Sequence, residues 1–213
     1  MARVAEKNPL FWLTRCTKTK DEQDRENPYK PFPELEAWAH LLDILEYEPA
    51  PVFIEKSRTV MMSWFVTAWA AHRCFTRPAT TVVFQSVDYD RALKNVEYAK
   101  ELWRNSIPEL QDRWKLFRPV EKQAEYILSV GNGSWLKAIT GESSKVRSEH
   151  PTIVILDEAA HMEQGEESFN VAMACKSPHV ICLSSALPGW FRQATEFAKP
   201  VDWPKYIRTW DQP

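Results

Sequence analysis

Residues 152–156 read TIVIL and residues 180–183 read VICL, two short runs dominated by apolar β-formers. A strand with one wet face alternates apolar and polar side chains, whereas a strand apolar throughout must be covered on both sides, which selects a parallel sheet packed between helices. The rest of the chain supplies those helices. Strand-like runs at 52–54, 80–85, 152–156 and 180–183 alternate with helical patterns at 61–74, 88–105, 166–175 and 190–198. Segments 124–130 and 134–139 flank GNG, a turn signal that predicts a hairpin. Leu35, Trp38, Leu41, Leu42 and Leu45 predict a further helix, closed by Pro49 and Pro51, and 206–210 reads as a final strand. The expected class is α/β, a mainly parallel central sheet flanked by helices.

In such sheets ligands bind beyond the carboxyl ends of the strands. Three polar clusters fall at those ends: Glu55 to Thr59 (EKSRT), Asp157 to His161 (DEAAH) and Ser184 to Gly189 (SSALPG). They are expected on one rim. Residues 1–33, polar and rich in proline and charge, read as an extended arm or irregular lead-in to one domain over 34–213.

Composition narrows the classes. Net charge is −2, so there is no general basic field to hold a nucleic acid. Cys16, Cys74, Cys175 and Cys182 show no CxxC and no zinc-ligand spacing, and read as reduced, mostly buried thiols. The apolar run 60–71 is too short for a bilayer and the N-terminus lacks a signal-peptide pattern, so no membrane partner and a cytoplasmic location are expected.

Asp157 and Glu158 leave the TIVIL strand together. In nucleoside triphosphatases the first acid of such a pair serves magnesium and the second orients and deprotonates water; two acids capping the next turn would look the same. In VFIEKSRTVMMSW, Val52 to Trp64, a strand passes into a helix through cations and hydroxyls but no glycine. Backbone N–H groups at a helix N-terminus, Lys56 or Arg58 as cation and Ser63 on magnesium would make a phosphate cradle; a solvated polar turn is the alternative. Ser184 and Ser185 could sense a γ-phosphate or merely end a strand.

Taken together, KSRTVMMSW, VVFQS, VRSEHPTIVILDEAAHM and LSSALPGWF resemble the ATPase domain of phage terminase large subunits over roughly residues 30–210. The resemblance implies a P-loop NTPase (RecA/ASCE-like) fold with a deviant Walker A loop, Lys56, Ser57, Arg58, Thr59, Val60, Met61, Met62 and Ser63, binding ATP. It implies Ser63 and Asp157 on Mg2+, Glu158 as the catalytic carboxylate of the Walker B pair, and Ser184 and Ser185 as the coupling motif. Arg147 matches the position offered to a neighbouring subunit as an arginine finger, while Arg58 could supply charge in cis. Met61 and Met62 depart from the family, which usually keeps a glycine there. Phe32 or Trp38 could stack on the base, or fill the core.

Implied partners are double-stranded DNA, a homo-oligomeric ring assembled on a portal, and the small terminase subunit. The family's C-terminal nuclease domain is not expected within 1–213. A helicase-like DNA-dependent ATPase and a degenerate P-loop assembly module without turnover are the competing readings. Trp38, Trp64, Trp69 and Trp103, at helical spacing, are expected in the core. Arg104, Arg113, Lys115 and Arg118 around Trp114 and Phe117 read as a solvated face, and His161 has no second histidine near it in sequence.

Overall fold

The structure, a computed structural model, describes residues 1–21, 24–47, 51–57 and 61–197. The strand expected at 206–210 lies outside the described residues.

Helices α1 (Ala2–Ala5) and α2 (Pro9–Phe11) lead into a π-helical turn, Trp12–Cys16. Strands β1 (Thr19–Lys20) and β2 (Tyr29–Lys30) form a small antiparallel pair. Then follow α3 (Glu36–Tyr47), β3 (Val52–Glu55), α4 (Met62–Thr76), β4 (Thr81–Gln85), α5 (Tyr89–Arg104) and α6 (Pro108–Arg113). The remainder is a 3-10 turn (Val120–Lys122), β5 (Ile127–Ser129), β6 (Trp135–Ala138), α7 (Ser143–Glu149), β7 (Ile153–Asp157), a second 3-10 turn (Ala159–His161), α8 (Gly165–Ala174), β8 (His179–Ser184) and α9 (Trp190–Phe197).

The main sheet runs β3-β8-β7-β4-β6-β5, with every pairing parallel except the β5–β6 hairpin at one edge. Successive side chains along the inner strands enter different cores. Phe84, Ile153, Ile155, Ile181 and Leu183 pack beneath α4 and α5, whereas Val83, Val154, Leu156, Val180 and Cys182 pack on the side of Val146, Ala172 and Phe191. Both faces are covered, as the apolar runs require. Helix α4 is buried nearly all round, which accounts for its Trp, Phe and Ala content. Asp88 caps α5 by accepting from the Arg91 N–H at 2.8 Å.

Trp38, Trp64 and Trp69 are buried and Trp103 packs against the core, as expected. Phe32 and Trp38 are buried against Phe65, so they fill the interior.

The N-terminal segment differs from the expected extended arm. Trp12, Leu13 and Cys16 are buried, and the Trp12 indole donates to Ser106 Oγ at 3.0 Å. Trp12 also packs against His72, Phe75 and Trp114. The apolar residues of PLFWL outweigh the polar composition of residues 1–33, because burying large aromatics stabilises more than local polarity opposes.

That junction carries a pH liability. His72 is bonded at 2.7 Å to the Ala5 carbonyl, and burial pushes its pKa down to about 4; His179, half-buried beside Arg73, is likewise lowered to about 4 by desolvation and that neighbouring charge. Between about pH 6.5 and 4 the unfolded chain takes up protons that these native imidazoles refuse. Stability is therefore present above that window and lost as pH falls through it, by on the order of 3 kcal/mol for a fully buried site. Urea midpoints measured from pH 7 to pH 4 should fall, and less steeply in His72→Gln, which keeps a donor for the Ala5 carbonyl. An unchanged slope in that variant would exclude His72 as the source.

Candidate active site

The registers Glu55↔Ser184 and Asp157↔Leu183 bring the ends of β3, β8 and β7 level. All three polar clusters therefore share one rim. Past the end of β3, the Lys56 N–H donates to the Ser184 carbonyl at 2.9 Å, which prolongs the ladder by one residue. The Lys56 ammonium lies 3.0 Å from Glu158 Oε1 and 3.6 Å from Asp157 Oδ1, with its side chain 11% exposed. A lysine and two carboxylates distant in sequence thus meet in a partly desolvated cluster.

Asp157 is buried on the α4–α5 side of the sheet. Ser63, in the first turn of α4, donates its hydroxyl to the carboxylate, and Asn95 of α5 donates to Oδ2 at 3.4 Å. Burial raises the Asp157 pKa, with Glu158 adding to the rise, while Lys56, Ser63 and Asn95 oppose it. Glu158 begins the 3-10 turn in the left-handed region, φ 57 and ψ 38. Its N–H donates to Asp157 Oδ1 at 3.0 Å.

Ser184 is fully buried and its Oγ accepts from the Ala160 N–H at 3.2 Å, which fastens the turn after Glu158 to β8. Ser185 Oγ lies 2.9 Å from His161 Nε2, and that nitrogen lies 3.9 Å from Glu158 Oε2. The turn and the β8 end are cross-linked twice.

Two of the five left-handed non-glycine residues among the described residues, Met61 (φ 54, ψ 19) and Glu158, bracket the rim. Such a conformation costs a side-chain-bearing residue roughly 1–2 kcal/mol, and strain of this kind concentrates at functional sites. Met61 stands at the corner opening α4, where a glycine would be unstrained. Met61 therefore adopts, at the start of α4, a backbone conformation that glycine takes without strain.

Lys56, Ser63, Asp157, Glu158, Ser184 and Ser185 meet at the rim. Met62 is buried in α4 and Ser57 is exposed. Arg58, Thr59 and Val60 lie outside the described residues. Arg147 is exposed in the last turn of α7 and has no hydrogen bond or ion pair among the described residues. Asn95 and its contact Thr67 Oγ1, at 3.4 Å, went unmarked by sequence because nothing distinguishes a helical asparagine from a solvated one. His161, set aside for want of a second histidine, reaches the site by pairing with a serine. Of the basic stretch, Arg104 pairs with Glu97 and Glu101 and Arg113 with Glu6, while Lys115 and Arg118 are exposed without an ion pair among the described residues.

Among the described residues no cluster of three His, Cys, Asp or Glu side chains forms a protein cage for a metal. Asp157 with Ser63 suits Mg2+, which takes one or two carboxylates and completes its shell with water and phosphate. No described helix is long and apolar enough to cross a membrane.

No known family's sequence model matches the chain, and no curated protein does. Among solved structures, the large terminase of bacteriophage HK97 is similar over 86% of this chain and 38% of its own, with 14% identity and a TM-score of 0.61. The large terminase of the thermophilic bacteriophage D6E is similar over 72% of this chain and 39% of its own, with 16% identity and a TM-score of 0.50. Dbp5 of S. cerevisiae is similar over 78% of this chain and 44% of its own, with 14% identity and a TM-score of 0.50. The chain spans less than half the length of each of these three. Its fold is the P-loop α/β fold of the large terminase ATPase domains.

Proposed function

We propose that this chain is the Mg2+-dependent ATPase domain of a viral DNA-packaging motor. In this reading ATP hydrolysis drives double-stranded DNA into a procapsid, in a homo-oligomeric ring on a portal, served by a small terminase subunit in the host cytoplasm. The observation that carries the reading is the Lys56–Asp157–Glu158 cluster at the rim of a terminase-like sheet. A helicase-like ATPase is supported by the likeness to Dbp5, but over less of the chain and at a lower TM-score than HK97.

Lys56 exchanges its carboxylate partner for phosphate oxygens when ATP arrives. Asp157 and Ser63 would hold Mg2+, which when bound neutralises charge on the phosphates. Glu158, freed of Lys56, accepts the proton of the attacking water. Ser184 and Ser185 register loss of the γ-phosphate and pass it to β8 and the 159–161 turn. Arg147 reaches a neighbouring subunit's nucleotide; a charge supplied in cis by Arg58 is the alternative.

Phosphate release with and without Mg2+, alongside nucleotide titration, tests this function. Lys56→Ala should bind ATP weakly and turn over almost none; a parental isotherm would exclude the phosphate-loop register. Asp157→Asn should lose the Mg2+-dependent part of binding. It should also melt higher than the parent without nucleotide, because the fold disfavours the ionised form of that carboxyl. A lower melting temperature would contradict the electrostatic account.

A further inference from the structure

Gln85 ends β4 beside Leu156, one strand from the acid pair, and is fully buried. Its side chain lies away from the carboxylates. The amide nitrogen donates to the Thr140 carbonyl at 2.7 Å and to the Glu142 carbonyl at 3.1 Å, while its oxygen has no partner among the described residues. The residue acts purely as a double donor, spent on the loop that opens α7. A second glutamine closes the same junction: Gln164, after the 159–161 turn, accepts from the Ser143 N–H at 3.3 Å. At its other end α7 is anchored by Glu149 to Lys137 at 2.6 Å, and Val146 is buried beneath it. Arg147 is left projecting from a helix fixed at three points.

We infer that Gln85 is a positioning residue for Arg147, holding the start of α7 to the β4 end so that the guanidinium is presented at a set place to a neighbouring copy of the chain. This rests on the reading of Arg147 as an arginine acting in trans. Gln164, at the start of α8 and shortly after the turn begun by Glu158, ties down the same end of α7. Leucine at 85 would fill the space but take the side-chain donor from both carbonyls, leaving Glu142 with the Lys145 N–H at 3.1 Å and Thr140 without the amide it now holds. Glutamate would set acceptor against acceptor.

The test uses mixtures of subunits shown to co-assemble. Glu158→Gln subunits keep Arg147, Arg147→Ala subunits keep the base, and their mixture recovers turnover. Gln85→Leu added to the Glu158→Gln subunit should cut that recovery about tenfold or more, since misplacement by 1 Å can cost on the order of 10²-fold. The same change in the Arg147→Ala subunit should leave recovery within about twofold. A purely structural glutamine would give equal losses in both placements, and equal losses or none overturn the inference. If the two single variants never complement, the trans reading of Arg147 is what fails, and the role of Gln85 falls with it. Amide hydrogen exchange supplies a readout without turnover. Gln85→Leu should speed exchange over 140–149 and leave 153–157 protected, and unchanged exchange over 140–149 would also overturn the inference. Gln85→Met, linear and donor-free, repeats both measurements if the leucine variant fails to bind nucleotide.

Discussion

Glu158→Gln should bind ATP at least as well as the parent chain and hydrolyse it about a hundredfold more slowly or worse, since a positioned general base contributes roughly 10²–10⁴ in rate. The substitution keeps the size of the side chain and an oxygen facing Lys56, so the arrangement at 3.0 Å need not collapse. It removes the negative charge that draws the lysine away from phosphate, which favours binding. It also replaces a basic carboxylate with an amide, which is too weak a base to take the proton of water. Single-turnover hydrolysis at saturating ATP isolates the chemical step from product release. Turnover equal to the parent would strip Glu158 of its catalytic role and leave it as a partner for Lys56.

Arg147 sets the second large effect. Alone and dilute, the chain should hydrolyse ATP poorly, with turnover per subunit rising as concentration promotes assembly. An arginine supplied across an interface is worth about 10³–10⁵ in rate, and Arg147 is exposed on α7 with no partner among the described residues. Arg147→Ala should therefore remain a poor ATPase at every concentration while binding nucleotide normally. Mixed with Glu158→Gln, it should recover activity that neither has alone. Concentration-independent turnover in the parent would instead favour a charge supplied in cis, with Arg58 the residue to substitute next.

The sheet was legible because its inner strands are apolar on both sides, a pattern that few other arrangements tolerate. The acid pair was legible for the same reason: TIVIL can only deliver Asp157 and Glu158 to a strand end. Lys56 needed the resemblance as well, since a lysine after a short strand is usually solvated. The helical start of the chain was hidden, because Trp12 and Leu13 sit among charges and the decision to bury them is made by α4 and Trp114, remote in sequence. Helix α7 was missed because SSKVRSE carries only one apolar residue, Val146, and is held largely by Gln85, Gln164 and Lys137. Residue type alone does not disclose that the backbone at Met61 adopts the left-handed corner that glycine favours.

The ion pairs of Lys56 have a thermodynamic consequence. One ammonium faces two carboxylates, one of them buried, so the described cluster already carries surplus negative charge before any ligand enters. A bare ATP tetra-anion arriving there would meet like charge and would have to strip the lysine from Glu158. A divalent cation entering alone would find one carboxylate and one hydroxyl, too few ligands to displace its water. Each visitor removes the other's obstacle, so the two should enter as a linked pair: the affinity for nucleotide should climb with free Mg2+, and that for Mg2+ should climb by the same factor with nucleotide.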